Sequence, residues 1–405
     1  MSGGALYTGG SLNGEIVDIQ CSTDGTITSV SASPAMRGDT EKSVNLDGCV
    51  IIPSFAEPHA HLDKAFLADR VENPAGDLMG AIVGLSAIRD SLTHDDTVRR
   101  ATAALRLMSR NGVTAVRTHA DTTLDGGLQS VLALLESKRD CAGFIDVQVA
   151  MLLDWPLTGT AASLRLGLAR EAIAAGVDVV GGCPHLDDDP RGAVETLLQL
   201  AVDSGLPLDL HADENLRPDS CDLEHLADTM IKHRITHHVV ASHCVSLSTR
   251  PESDIRRIAE KVAEAGITVV ALPHTNLFLQ GRETSTLTPR AITPVRILRE
   301  CGVTVAAGAD NLQDPFNPLG RADPLETAGL MVMASHLSVD DALDSVTTAA
   351  HTAISNSPVR LTTGEKANFV AVPATNVREA IAMGPPDRKV VYGGVVIDEQ
   401  KRNRK

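Results

Sequence analysis

The sequence predicts an α/β protein: a (β/α)8 barrel with a small composite β-sandwich domain built from both chain ends. The first sign is alternation, because from residue 54 to about 364 apolar strand-like runs alternate with helix-like segments. The second is their number and character. There are eight runs: "CVIIPSF", "VTAVRTH", "DVQVAML", "DVVGGCP", "LPLDLHAD", "HHVVASH", "ITVVALP" and "VTVAAGAD". Each is short, rich in Val, Leu or Ala and nearly continuous in hydrophobicity, as strands covered on both faces are. The third is that both chain ends read differently from the middle, as short strands broken by turns. Eight strands alternating with helices fit a closed barrel. An open doubly wound sheet is the competing arrangement.

Residues 1–53 are read as the N-terminal part of the sandwich, with "EIVDIQC", "TITSVSA" and "SVNLDGCVII" separated by "STDG" and "LDG". Residues 54–364 are read as the barrel. Several of its strands follow a helix and a Gly stop, in "RLMSRNGV", "AIAAGVD", "AVDSGLP", "AEAGITV" and "LRECGVTV". Gly there supplies the left-handed residue that ends a helix. Before "RNGV", Val98, Ala101, Leu105 and Met108 fall at helical spacing. Residues 68–95 exceed a normal strand-to-helix connection and read either as a lid over the barrel mouth or as an extra helix packed outside it. Residues 365–405 return to short strands, "ANFVAVPA" and "KVVYGGVVI", and complete the sandwich. No GxGxxG or GxxxxGK[ST] follows any strand, so no nucleotide loop of the usual kinds is expected.

Composition narrows the function. The chain has 405 residues, 43% hydrophobic and 22% charged, which suits a globular protein with a large core. Only 2% are aromatic, so Ala, Val, Leu and Ile must build that core. The net charge of −16 argues against nucleic acid, whose binders carry a basic face. The one dense basic cluster is the terminal "KRNRK", read as a solvated tail. The expected partner is a small molecule, neutral or cationic. The seven cysteines are scattered and never form CxxC, which argues against a disulfide framework and a zinc knuckle. It also excludes deaminases that pair H-x-E with P-C-x-x-C. The start lacks a charged n-region and an apolar h-region, and no run of about 18 apolar residues occurs. A cytoplasmic protein without a membrane span is the expectation, and a homo-oligomer is compatible with it.

Polar residues gather at the strand ends. His59 and His61 follow strand one; His119 and Asp121 follow strand two; His185 ends strand four. Strand five ends with His211, Asp213 and Glu214, strand six with His243, strand seven with His274 and strand eight with Asp310. In a barrel these ends share one face, where active sites form. Residues i and i+2 of a strand point the same way, so His59 and His61 can both face the mouth. Two imidazoles can hold one divalent ion, and neutral His with carboxylate suits iron, zinc or manganese. His211 and Asp310 complete the set by position. Each histidine alone has a plainer reading as a hydrogen-bonded structural residue. Together, at separate strand ends, they point to a metal.

"PSFAEPHAHLDKAFL", "DLHADE", "ASHC", "NLFLQGR" and "GADNLQDPFNPLG" resemble the amidohydrolase superfamily, and within it the bacterial cytosine deaminase group. The resemblance spans nearly the whole chain. It implies one metal per chain, Fe(II) or Zn(II), held by His59, His61, His211 and Asp310. It implies that Glu214 shuttles protons, that His243 orients the hydrolytic water and that Asp310 accepts a proton from it. Metal-activated hydroxide would then cleave a C–N bond. Binuclear relatives carry a lysine at the end of strand four; "DVVGGCPH" has none.

The substrate-reading positions depart from the cytosine enzymes. Their glutamine after strand three corresponds to Leu153, which cannot hydrogen-bond. The Asp that follows their metal aspartate is Asn311, their Trp is Phe316, and Phe278 replaces a histidine. Leu153, Asp154, Trp155, Asn276, Gln280, Asn311 and Phe316 are the expected substrate-binding residues. A site built to pair with a polar edge discriminates strongly, so these changes argue against cytosine itself. The resemblance implies a deaminase acting on a small N-heterocycle or cyclic amidine-like compound. The alternatives are an N-dealkylating or cyclic-amide amidohydrolase and a non-catalytic relative used for binding or assembly. The related isopropylammelide hydrolase lacks the shuttling Glu, so Glu214 leans toward deamination.

Overall fold

The computed structural model describes residues 4–33, 43–160 and 162–398. The basic run at 401–405 lies outside the described residues. Eight parallel strands form the barrel wall: Phe55–Ala60, Val113–Thr122, Asp146–Leu153, Val179–Gly182, Leu208–Ala212, Val239–His243, Thr268–Ala271 and Val305–Ala307. Each pairs with its neighbour in chain order. A parallel bridge from Ala60 to Asp310 joins the first strand to the end of the last and closes the ring. The strands from Val179 onward are buried at every position, which explains their unbroken apolar character.

The helices outside the ring follow their apolar stripes. In Glu252–Glu264, Ile255, Ile258, Ala259 and Val262 are buried, at spacings of three and four. In Pro190–Ser204, Asp189 accepts from the Gly192 N–H and Pro190 opens the first turn. That helix ends at Gly205, whose φ of 70° is the left-handed stop read in the sequence.

The first strand differs from the expectation. "CVIIP" does not enter the barrel: Cys49–Pro53 pairs antiparallel with Phe369–Pro373 in the other sheet. Ser54 breaks the run, and barrel strand one is Phe55–Ala60, which contains Pro58. Proline removes a ladder donor, and the pairing with strand two shifts register between Glu57 and Ala60. The apolar run therefore holds two strands where the sequence suggested one. His59 lies inside barrel strand one rather than beyond it.

The second sheet is mixed and eight-stranded, built from segments between Leu6 and Pro53 and between Phe369 and Val396. Its own core contains Tyr7, Ile19, Ile27, Leu46, Phe369 and Val391. Tyr7 meets the Phe369 ring edge-on at 5.0 Å and donates to the Gly394 carbonyl at 2.9 Å, so the two chain ends are stitched together.

Between barrel strands one and two, the long connection forms the helix Leu78–Ile88 and a turn at Arg89–Ser91. Ala81 and Leu85 pack with Leu67, Val71, Leu279 and Phe316. No helix among the described residues is long and apolar enough to cross a membrane.

Candidate metal centre

His59, His61 and His211 bring ring nitrogens together at the barrel mouth. His211 Nε2 lies 3.0 Å from His59 Nε2 and 3.1 Å from His61 Nε2. Asp310 Oδ1 lies 3.3 Å from His61 Nε2 and 3.8 Å from His59 Nε2. Two elements place Asp310. It follows strand eight in a left-handed conformation, φ 65°, and its carbonyl accepts the His61 N–H at 3.2 Å. His243 (φ 70°), the last residue of its strand, and Asp213 (φ 54°), just past its own, also turn left-handed. Such backbone strain gathers where side chains must be aimed.

The donor set fits a divalent cation. Ser242 Oγ donates to Asp209 at 3.0 Å, so His59 Nδ1–H donates to Ser242 Oγ at 2.9 Å. This leaves the His59 Nε2 lone pair facing the other ligands. Burial, and then the neighbouring imidazoles, push His59 and His211 far below the usual histidine range, so both stay neutral. Both Asp310 carboxylate oxygens are buried without a hydrogen-bond partner. An unpaired buried carboxylate among neutral imidazoles is costly unless a cation joins it.

A further layer lies beneath. Arg117 Nη1 donates to Asp209 Oδ2 at 2.8 Å, with both side chains fully buried. His119 Nε2 is 3.7 Å from the same oxygen, and its ring lies 4.1 Å from that of His59. Glu57 accepts the Ala309 N–H, at 3.1 and 3.0 Å from its two oxygens.

Glu214 and His243 stand beside this cluster, with Glu214 Oε2 3.6 Å from His243 Nε2. Burial, and then the Asp310 carboxylate, push the Glu214 carboxyl well above its ordinary range. His185 donates through Nδ1 to the His211 carbonyl at 3.0 Å, and its bare Nε2 lies 3.9 Å from Glu214 Oε2.

A cavity of about 440 Å³ opens onto this cluster and is walled by His61, His211, Glu214, His243 and Asp310. Its remaining wall includes Leu153, Asp154, Trp155, Asn311 and Phe316. The helix Leu78–Ile88 contributes Leu78, Ile82, Leu85 and Ser86, so the long connection covers the mouth instead of packing outside the barrel. Asn276 and Gln280 do not line the cavity. Asn276 is buried with its Oδ1 3.1 Å from His243 Nδ1, and Gln280 donates to the Glu214 carbonyl at 3.2 Å. Both are turned toward residues of the centre, because the short helix Pro273–Leu279 runs behind it.

The sequence reading passed over Asp209, Lys64, Arg89 and Arg165. Asp209 had a signal, since it sits two residues before His211 in a fully buried strand and so shares its face. Lys64 donates to Asp121 at 2.6 Å and to Asp63 at 3.2 Å. Arg89 and Arg165 reach the cavity from separate helical segments, and nothing local in the sequence signals that.

A model of the amidohydrolase family matches residues 65–400. A pterin deaminase of Rhizobium rhizogenes is 30% identical over 400 residues, 97% of this chain and 90% of that protein. The crystal structure of 5-methylcytosine deaminase from Klebsiella pneumoniae superposes with a TM-score of 0.89 at 29% identity, covering 97% of both chains. That of N-isopropylammelide isopropylaminohydrolase from Burkholderia multivorans gives 0.81 at 26% identity, covering 97% of this chain and 98% of that one.

Proposed function

The chain belongs to the amidohydrolase family, and from that membership we propose that it is a metal-dependent aminohydrolase that removes an exocyclic amino group from a small N-heterocycle. The observation that carries this is Glu214: a buried carboxyl on the cavity wall, 3.6 Å from His243 and beside the His/Asp cluster.

His59, His61, His211 and Asp310 would hold one divalent ion, Fe(II) or Zn(II) by donor type. When bound, the ion supplies a nucleophilic oxygen at neutral pH and polarises the carbon under attack. Asp310 takes a proton from the attacking water. Glu214 gives its proton to the ring nitrogen next to that carbon. The Glu214 carboxylate that results takes the remaining proton of the attacking water from the hydroxyl of the adduct and passes it to the departing amine, and the proton held by Asp310 returns to Glu214. Asn276 fixes the His243 ring through Nδ1 and so directs Nε2 toward the attacking oxygen. The covering helix excludes bulk water from these transfers.

Cavity size favours a flat heterocycle. About 440 Å³ accommodates a bicyclic ring. Leu153 offers no hydrogen bond to a pyrimidine edge, which argues against cytosine. The pterin deaminase relative makes pterin the first compound to test. Hydrolytic N-dealkylation, which the isopropylammelide enzyme's name describes, is the second reading. Glu214, present on the cavity wall, favours deamination.

The test is ammonia release from pterins, aminopyrimidines and aminotriazines by protein loaded with one equivalent of Zn(II) or Fe(II). Glu214→Gln should keep its metal and lose about 10²–10⁴-fold in kcat. Near wild-type turnover in that variant would remove the shuttle role.

A further inference from the structure

We propose that Arg89 and Arg165 form an anion subsite on the cavity wall, so that the preferred heterocycle carries a carboxylate substituent. This rests on the aminohydrolase reading and adds the class of substrate.

The two guanidiniums come from different elements and line the same cavity. Arg89 closes the helix Leu78–Ile88, and Arg165 lies on the helix Ala162–Ala175 that follows barrel strand three. Each uses only part of its donor fork. Arg165 Nη2 meets Asp154 Oδ2 at 3.3 Å, and its Nε is buried without a partner. Arg89 Nη1 donates to Thr123 Oγ1 and, at 3.2 Å, to Asp125 Oδ1; its Nε too is buried and unpaired. Guanidinium carries five N–H donors in a planar fork and binds carboxylates through two at a time. The Nε atoms are buried away from the chamber, but Arg165 Nη1 and Arg89 Nη2 make no hydrogen bond among the described residues, so each fork keeps a terminal nitrogen for an anion entering the cavity that both residues line.

The plain alternative is a pair of surface ion pairs, and burial argues against it. The side chains of Arg165 and Arg89 are 11% and 22% exposed, whereas Asp125 is 68% exposed. Asp125 can leave for solvent, freeing Arg89, at little cost. Asp154 is held by the Trp155 N–H at 2.8 Å and keeps Arg165 in place. The inner cation, Lys64, is already matched by Asp63 and Asp121 and does not compete for the ligand. The chain's overall charge of −16 would repel an anion at long range, so a local cationic wall is what could admit one.

The test compares two probes: pterin, and the same ring bearing a carboxylate on its pyrazine half. Wild type should show a higher kcat/KM for the carboxylated ring, expressed mainly in KM. Arg165→Gln and Arg89→Gln should each lower the ratio of kcat/KM between the two rings about tenfold, and Arg165→Lys should restore part of it. A purely structural role would depress both substrates together and leave the ratio unchanged, which overturns the proposal. So does a wild type that prefers the uncharged ring. Absence of ammonia release from both probes, and from the aminopyrimidines and aminotriazines as well, would instead refute the aminohydrolase reading, and this subsite with it.

Discussion

Glu57 receives the backbone N–H of Ala309, at 3.1 and 3.0 Å from its two carboxylate oxygens, and so fastens barrel strand one to the loop that carries Asp310. The ring closes there, and this contact adds to the Ala60–Asp310 bridge and the His61 N–H bond to the Asp310 carbonyl in setting the candidate ligands of the first and last strands. Gly308 makes the contact possible, because a Cβ at that position would lie 2.3 Å from Glu57 Oε1. Gly308→Ala, which touches no ligand, should therefore lower metal occupancy and activity together. Metal content measured on the purified variant checks this. Full occupancy would mean that the loop absorbs the methyl group without moving Asp310.

Ser242 offers a finer test of how the ligands are held. Its hydroxyl relays from Asp209 to His59 Nδ1, and this relay fixes which ring nitrogen is free for the ion. Ser242→Ala should weaken metal affinity about 10–100-fold, the usual effect of losing an outer partner of a ligand. Competition against a chelating dye reads this directly. Unchanged affinity would show that packing alone orients His59.

Much of this centre is legible in the sequence, because its logic is periodic. Eight apolar runs between helices dictate a barrel, and barrel geometry carries every strand end to one face. His59, His61, His211 and Asp310 could thus be grouped although they span 252 positions in sequence. What escaped the reading depends on tertiary reach. "CVIIPSF" holds two strands because Cys49–Pro53 finds a partner more than 300 residues away, at Phe369–Pro373. Asn276 and Gln280 looked like pocket residues on motif position, yet the Pro273–Leu279 helix aims them at His243 and Glu214. Arg165 folds back onto Asp154 across 11 positions, a contact that no local pattern encodes.

The Arg117–Asp209 pair beneath the histidines yields a stability prediction. Both side chains are fully buried, and Arg117 also donates to the Ile354 carbonyl and to Gln148. Arg117→Met leaves the Asp209 carboxylate uncompensated and should cost about 3–5 kcal/mol in unfolding free energy. Adding Asp209→Asn removes the stranded charge and should recover a large part of that loss. Denaturant unfolding of the two single variants and the double variant measures the coupling. Additive losses would mean that the pair does not act as a unit.

The carboxylates Asp213 and Asp222 give the fold a pH dependence separate from the metal ligands. They are buried against each other: the Asp222 N–H donates to Asp213 Oδ1 at 2.9 Å, and the Asp213 N–H to Asp222 Oδ2 at 3.3 Å. Burial, and then the Asp213 charge, raise the Asp222 carboxyl to about 8. The folded chain thus binds a proton that the unfolded chain releases near the ordinary carboxylate value. Unfolding free energy therefore falls as pH rises between that value and about 8, and levels off above it. Asp222→Asn cannot release this proton, so its melting temperature should decline less than wild type's between about pH 5 and pH 8. The difference between the two melting curves, taken on chelated protein, isolates the group from the other buried acids. Parallel curves across that interval would mean that Asp222 is already ionised in the native fold and that the pair is held by its backbone donors alone.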